Sequence, residues 1–196
     1  MKITFIADKI QYERGGANTS LHLLSSNLQS NGHSVKVITL NTSEENVLPD
    51  KYSYRVVQAE SLGNSKVSIV KGGIQVLKQH EKSTDIYHIF SPKYLFIGAL
   101  YRRNNSTPVV CRLNTYMFCS NFGEMDSNCY KNCTSLKKFA HDDEPLPRKI
   151  SKTPLYALNS YILPDLAEYI DSFFALSPIV KEIYVENGFP SNSIEI

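Results

Sequence analysis

The chain has 196 residues, 21 Lys and Arg against 19 Asp and Glu, and a net charge of +2. That is the length of one domain. At 42% hydrophobic it is too apolar for general disorder, and its near-neutral balance argues against a broad basic nucleic-acid surface. The longest apolar run, Tyr94 to Tyr101, falls far short of the ~20 residues that span a bilayer. The opening MKITFIADK lacks a signal peptide's long apolar stretch and small-residue cleavage site. The expectation is a soluble cytoplasmic protein.

The run from Lys2 to Asp8 is short, apolar and bounded by polar residues, which suits a strand buried on both faces of a parallel sheet. A loop carrying Gly15-Gly16 follows. Ala17, Leu21, Leu24 and Leu28 then recur at helical spacing, and Gly32 stands where a helix would stop. Ser34 to Leu40 reads as the next strand, completing a βαβ unit. A short strand follows at Tyr54 to Val57 and a helix at Val67 to Glu81, with Gly72-Gly73 counting against its first turns. Asp85 to Phe90 is a strand, and Pro92 opens a helix reaching Arg103. Thr107 to Leu113 is a strand. A polar, cysteine-bearing insertion loop spans about 114–147, long enough to need a function or a brace. A helix is expected from Leu155 to Tyr169, interrupted or kinked near Pro164. A strand at Asp171 to Leu176 and a helix from Ser177-Pro178 to Asn187-Gly188 follow, and a last strand opens at Ser193. The fold class is α/β: a doubly wound, mostly parallel sheet with helices on both faces.

Ligands of such sheets bind outside the carboxyl ends of the strands. That rule selects the Gly15-Gly16 loop, His88 to Ser91, Asn114 to Tyr116, and the Ser177 turn. Glycine lets backbone approach a ligand, and amides at a helix start favour phosphate. A plain tight turn explains Gly15-Gly16 equally well, because neither a dinucleotide fingerprint nor a P-loop is present. Alternation places Ile86, His88 and Phe90 on one face of their strand and Tyr87 and Ile89 on the other. His88 is thus either a packed core residue or a functional group. Asn114 can donate to and accept from a hydroxyl but cannot exchange a proton, and strand-end turn chemistry also favours Asn.

Cys119, Cys129 and Cys133 share the loop, and Cys111 lies on the strand before it. Four thiolates can hold a structural zinc, with His141 as a competing fourth ligand; a disulfide or packed thiols are the alternatives. Lys137-Lys138, Arg148-Lys149 and Lys152 make this stretch locally basic, a solvated surface or a contact for anionic lipid headgroups.

Four segments in order resemble the N-terminal half of a family 4 glycosyltransferase of the GT-B type. MKITFIADKIQYERGGANTSLHLLSSNLQSNGHSVKVITL is similar to that family's opening, with a Gly-Gly loop and Gly32-His33 before the second strand. DIYHIFSP is similar to its D-hydrophobic-hydrophobic-H strand, with Asp85 and His88 in place. TPVVCRLNTY resembles its P-V-V-x-T-x-H-D strand, and FFALSPIVKEIYVENGFPSNSIEI its closing segment. CSNFGEMDSNCYKNC resembles a Cys-rich loop found in some members.

The resemblance implies sugar transfer from a nucleotide-sugar to a glycan, lipid or other acceptor, with the nucleotide-sugar as co-substrate and no required cofactor. It makes residues 1–196 the acceptor-side domain. Gly15 and Gly16 would approach the donor phosphate, with Ser91, Tyr116 and Ser177 lining the site and His88 and Asn114 as catalytic candidates. Two departures stand out: Asn114 and Thr115 replace the family's His-Asp, and the nucleotide-sugar domain lies outside this sequence. The expected outcome is a half inactive without that domain, which a separate subunit can supply. A non-catalytic binding module on the same fold is the alternative. Expected partners are a sugar, glycan or polyprenyl-linked acceptor, a second copy of the chain and the inner face of a membrane, but no nucleic acid.

Overall fold

A computed structural model describes residues 1–10, 16–40, 52–59, 62, 65–114 and 134–196. Seven strands form one sheet: β1 (Lys2–Ala7), β2 (Ser34–Thr39), β3 (Arg55–Gln58), β4 (Ile86–Ile89), β5 (Val109–Leu113), β6 (Ser172–Ala175) and β7 (Ile194–Glu195). Their order is β3-β2-β1-β4-β5-β6-β7, and every pairing is parallel. The Rossmann-like α/β architecture read from the sequence is present, and each expected strand is found within a few residues.

The order reverses at β1, which pairs with β2 on one side and β4 on the other. Right-handed crossovers then dictate which face each helix takes. Helix α1 (Gly16–Ser30) covers one face, packing Leu21, Leu24 and Leu28 on Ile3, Phe5, Val35 and Val37. Helices α2 (Lys66–His80), α3 (Leu95–Arg102), α6 (Leu163–Ala167) and α7 (Pro178–Glu186) cover the other, burying residues such as Leu77, Ile97, Leu166 and Ile183 against Ile6, Ile89 and Phe173.

Two helix stops follow from backbone chemistry. Gly32 and Gly188 adopt φ of 83° and 88°, the left-handed region open to glycine. After each, the returning chain closes the last turn: His33 N–H donates to the Leu28 carbonyl at 3.1 Å, and Phe189 N–H to the Tyr184 carbonyl at 3.1 Å. Helix α2 runs unbroken through the Gly72-Gly73 pair. Ser65 caps that helix, its side chain accepting from the Ser68 N–H. The glycines allow close packing: a Cβ on Gly73 would stand 2.4 Å from Ile97 Cδ1 of α3.

The stretch 114–147 is not all loop. Helix α4 (Ser135–His141) lies within it, capped by Thr134, and α5 (Leu146–Ala157) begins at its end. The helix expected from Leu155 therefore starts nine residues earlier. The interruption expected near Pro164 is a π-helical turn at Leu158–Ile162, just before that proline. Proline's ring collides with the carbonyl four residues back, and widening the preceding turn relieves that clash. The connection from β4 opens with a tight 3-10 turn at Pro92–Tyr94, and α3 starts at Leu95. Among the described residues, no helix is long and apolar enough to cross a membrane.

Asp171 ties the right half of the sheet together. Its carboxylate accepts from Arg102 Nε at 2.8 Å, Arg102 Nη2 at 2.9 Å and the Val109 N–H at 2.8 Å, joining α3, β5 and the start of β6. Asp171→Ala is expected to cost about 2 kcal/mol, since it orphans a charged fork and a strand-end amide together. A melting temperature about 4–8 °C lower checks this, and an unchanged one contradicts it.

Candidate functional site

The carboxyl ends of β1, β4, β5 and β6 are neighbours in the sheet. At the usual strand spacing they span about 14 Å of one edge. Sequence-distant groups therefore meet there: Asp8 after β1, Ser91 after β4, Asn114 after β5 and Ser177 after β6. Gly15 and Tyr116 lie outside the described residues, as do Cys119, Cys129 and Cys133.

Gly16 is the first residue of α1, and a Cβ built there would meet nothing within 4 Å. No acidic residue occupies the first turn of α1. The positive end of the helix dipole thus lies after the carboxyl end of β1 with no acidic side chain in its first turn, a place suited to an anion. Ser177 is a helix cap, its Oγ accepting from the Val180 N–H at 3.3 Å with Pro178 next in line. Ser91 precedes the Pro92–Tyr94 turn, and its carbonyl accepts from the Tyr94 N–H at 3.0 Å. Asn114 bridges two strand ends, its Nδ2 donating to the Phe90 carbonyl at 2.8 Å. Its Oδ1 is buried with no hydrogen-bond partner among the described residues. The amide is thus held in place with one acceptor still available to a donor such as a hydroxyl.

A cluster that sequence reasoning missed sits at the switch between β1 and β4. Asp8 Oδ1 accepts from Lys93 Nζ at 2.6 Å and from Tyr94 Oη at 2.6 Å. Burial alone would raise the Asp8 carboxyl, but the bonds from Lys93 and Tyr94 and the charges of Lys93 and Lys9 carry it below its ordinary value. Burial and the Asp8 carboxylate together raise the Tyr94 phenol. The crevice therefore offers a fixed carboxylate, an ammonium, a neutral phenol and an amide, a set matched to hydroxyl-rich or anionic ligands.

His88 points away from this edge. It lies on the α1 face of β4, as the alternation required, in register with Phe5 and Val110. Ring centroids of Phe5, Phe90 and Phe174 stand 5.0, 5.8 and 5.8 Å from its own. Burial, helped by the Arg112 charge, pushes its pKa down to about 4. It is neutral at pH 7, and its Nε2 is buried without a partner among the described residues. Arg112 lies over the Phe90 ring at 4.9 Å. His88, Arg112, Phe5 and Phe174, with Leu24 and Leu28, line an apolar groove of about 460 Å³ beside α1. His88 and Asn114 thus belong to different environments.

Of the four thiols, Cys111 is the described one. It is 0% exposed, on the opposite face of β5 from Arg112, and burial raises its pKa. A packed, protonated thiol fits that environment. Among the described residues, no three His, Cys, Asp or Glu side chains group as metal ligands.

A single parallel sheet wound in both directions from β1, with its polar crevice at the reversal, defines a Rossmann-like domain of the kind found in GT-B glycosyltransferases. The model of Glycosyltransferase Family 4 matches residues 14–196, and the chain belongs to that family. Among solved structures it is similar to the lipopolysaccharide outer core galactosyltransferase WaaB in its apo form. That match has a TM-score of 0.63 and 13% identity, covering 100% of this chain and 45% of the other. Anabaena HepE in complex with UDP gives 0.63 and 13%, covering 100% and 43%. MurG of Acinetobacter baumannii gives 0.51 and 14%, covering 98% and 43%. At such identities the likeness is one of fold. The chain spans less than half the length of these neighbours. No curated protein matches the sequence.

Proposed function

We propose that residues 1–196 form the acceptor-side wall of a cytoplasmic glycosyltransferase that moves a sugar from a nucleotide-sugar to a glycan, lipid-linked or other acceptor. The observation that carries this reading is that the start of α1 at Gly16 and the Asp8, Lys93 and Tyr94 cluster both follow β1 at the sheet's switch point. Helix amides aimed at a departing diphosphate stabilise charge as it develops. The carboxylate, phenol and Asn114 amide are suited to hold acceptor hydroxyls. Much of the rate in such transfers comes from holding both reactants in place, so one wall alone is expected to bind without turning over. A second domain or a separate subunit supplies the other wall.

The test measures sugar transfer from a panel of nucleotide-sugars, with residues 1–196 alone and with a family nucleotide-binding domain added. No transfer alone and turnover with the added domain is the expected result. Transfer by the isolated chain overturns the two-wall reading. In the assembled enzyme, Gly16→Val is expected to lower turnover about 100-fold. The melting temperature should hardly move, because the new Cβ would meet nothing within 4 Å among the described residues.

The non-catalytic module is the second reading. The amide at Asn114, which cannot titrate, favours it. Titration calorimetry that finds protein partners but no sugars, lipids or nucleotide-sugars would select it. A zinc held by Cys119, Cys129 and Cys133 with His141, since Cys111 is packed in the core, is a separate proposal, tested by metal analysis of untagged protein and melting with chelator. Zinc would raise the melting temperature, and protein without metal or chelator effect overturns the proposal.

A further inference from the structure

Register partners on adjacent strands stand side by side on one face of the sheet, and like charges placed there repel. Lys36 of β2 and Arg55 of β3 are such partners. Both lie on the α2 face, because Lys36 Nζ reaches the turn that follows α2. It donates to Ser83 Oγ at 2.8 Å and meets His80 Nδ1 at 3.5 Å. Lys36 is also the register partner of Thr4, and Lys2, two residues earlier on β1, shares that face. Three cations and a histidine thus gather toward the amino ends of β1, β2 and β3, at the edge of the sheet opposite the crevice.

This is an unfavourable place for a lysine. Lys36 is 9% exposed, and burial, then the charges of Arg55 and Lys2, hold its ammonium below the ordinary pKa. Burial, Lys36 and Arg55 lower His80 in turn, so its ring is neutral at pH 7 and can accept from Lys36. Among the described residues no carboxylate bonds to Lys36 or Arg55. Asp85, at the same edge, accepts from the Lys2 N–H at 2.7 Å, and Glu81 accepts from Thr107 at 3.4 Å. The ordinary reason for cations near a helix end is the partial charge on its last carbonyls. Here those carbonyls have other donors. That of Leu77 accepts from Tyr87 Oη, that of Lys78 from the Glu81 N–H, and that of His80 from Ser83 Oγ and Thr84 Oγ1, both at 2.9 Å.

A cavity of about 240 Å³ between α2 and β3 adjoins this cluster at His80. Val57, Leu62 and Val76 give it apolar walls, and Gln58, Gln75 and Gln79 supply amides that both donate and accept. It is smaller than a drug-sized pocket and suits a small polar molecule. Lys36 keeps one ammonium hydrogen beyond those directed at Ser83 and His80, and Arg55 keeps its whole fork. Unpaired donors on three cations match a dianion with several acceptor oxygens better than a singly charged carboxylate.

We propose that Lys2, Lys36 and Arg55 bind the phosphate group of a small phosphomonoester, whose body occupies the cavity along α2. The bound dianion separates the opposed charges of Lys36 and Arg55 and supplies the acceptors that the fold does not. This site lies at the other edge of the sheet and does not depend on the reading of the crevice.

The experiment is isothermal titration of the protein with inorganic phosphate, glycerol 3-phosphate and glucose 6-phosphate, at constant ionic strength set with chloride. Saturable binding is expected, with at least one ester about tenfold tighter than the free ion because its body is buried as well. Lys36→Met, which keeps the buried stem, and Arg55→Gln should each weaken binding about tenfold or more. Gly16→Val, at the opposite edge, should leave that binding unchanged. Arg55 is exposed, so its variant reads out even if Lys36→Met misfolds. Absence of saturable binding to all three probes overturns the proposal. So does binding that survives Arg55→Gln and is lost in Gly16→Val, which would place the anion in the crevice. Esters that bind no tighter than inorganic phosphate overturn the cavity's part and leave a site for the free ion.

Discussion

Gly98→Val is expected to destabilise the domain by about 3 kcal/mol, a large share of the ~5–15 kcal/mol that holds such a domain together. A Cβ on Gly98 would stand 2.8 Å from Ile89 Cγ1 and 3.1 Å from Val109 Cγ1. Both neighbours are fully buried and belong to adjacent strands, so neither has free space to yield. The missing side chain is what lets α3 lie directly on β4 and β5. The next residue back, Ile97, fills the notch at Gly73 of α2, so α3 is gripped on two sides. Alanine at 98 regains about 1 kcal/mol of helix propensity and should cost less; valine, β-branched, has little such relief. Thermal melts should show valine lowering the midpoint by about 6–12 °C and alanine by less. Equal midpoints for wild type and valine would mean that helix and sheet are not in contact at this position.

Acidification from pH 7 to 4 should cost a further 3 kcal/mol or so through His88 alone. In the folded protein burial holds its pKa down to about 4, against an ordinary 6.5 in the unfolded chain. Between those values the unfolded chain binds the proton and the folded chain does not. Stability is therefore full above pH 6.5, falls as pH drops through the interval, and has lost about 3 kcal/mol by pH 4. His80, lowered by burial and then by Lys36 and Arg55, adds in the same direction. Below pH 4 the depressed carboxyls of Asp8 and Asp171 continue the loss. Urea titrations across this range should find His88→Phe, whose ring suits a site lined by Phe5, Phe90 and Phe174, with a much flatter profile. An unaltered slope in that variant would assign the acid sensitivity elsewhere.

The strands were legible because parallel strands buried on both faces read as short apolar runs, and β1, β2, β4, β5 and β6 all do. Gly32 and Gly188 marked helix ends for a purely local reason, the left-handed backbone that glycine accepts. Helix α5 was illegible from Leu146 to Pro154 for the opposite reason. Its apolar residues Leu146 and Ile150 face out, its buried residue is Tyr156 and a half-buried lysine is paired beside it, so its pattern imitates a polar loop, and Pro147 and Pro154 reinforce the impression. Helix α4 is two turns of mostly polar residues and carries too little periodicity to register.

At the candidate site, the rule about strand ends located Ser91, Asn114 and Ser177 correctly at one edge. It could not foresee that Ser177 is occupied as a cap, nor that Asp8 joins Lys93 and Tyr94. That union needs β1 beside β4, a fact of topology carried by no local stretch. The same strand-end rule applied to β1 itself would have singled out Asp8.

The central position of β1 has a bearing on how the chain is made. Its six residues leave the ribosome before the other strands of the sheet, and β2 emerges within a few dozen residues, but Ile3 must wait for Ile86 before its other edge is closed. At ~5–20 residues per second that interval is about 4–16 s, during which an apolar strand has one flank unpaired. Synthesis thus favours β1 with β2 and α1 as a first nucleus, onto which β4 to β7 are added in their order along the chain. The nascent protein should need chaperone cover until β4 has emerged.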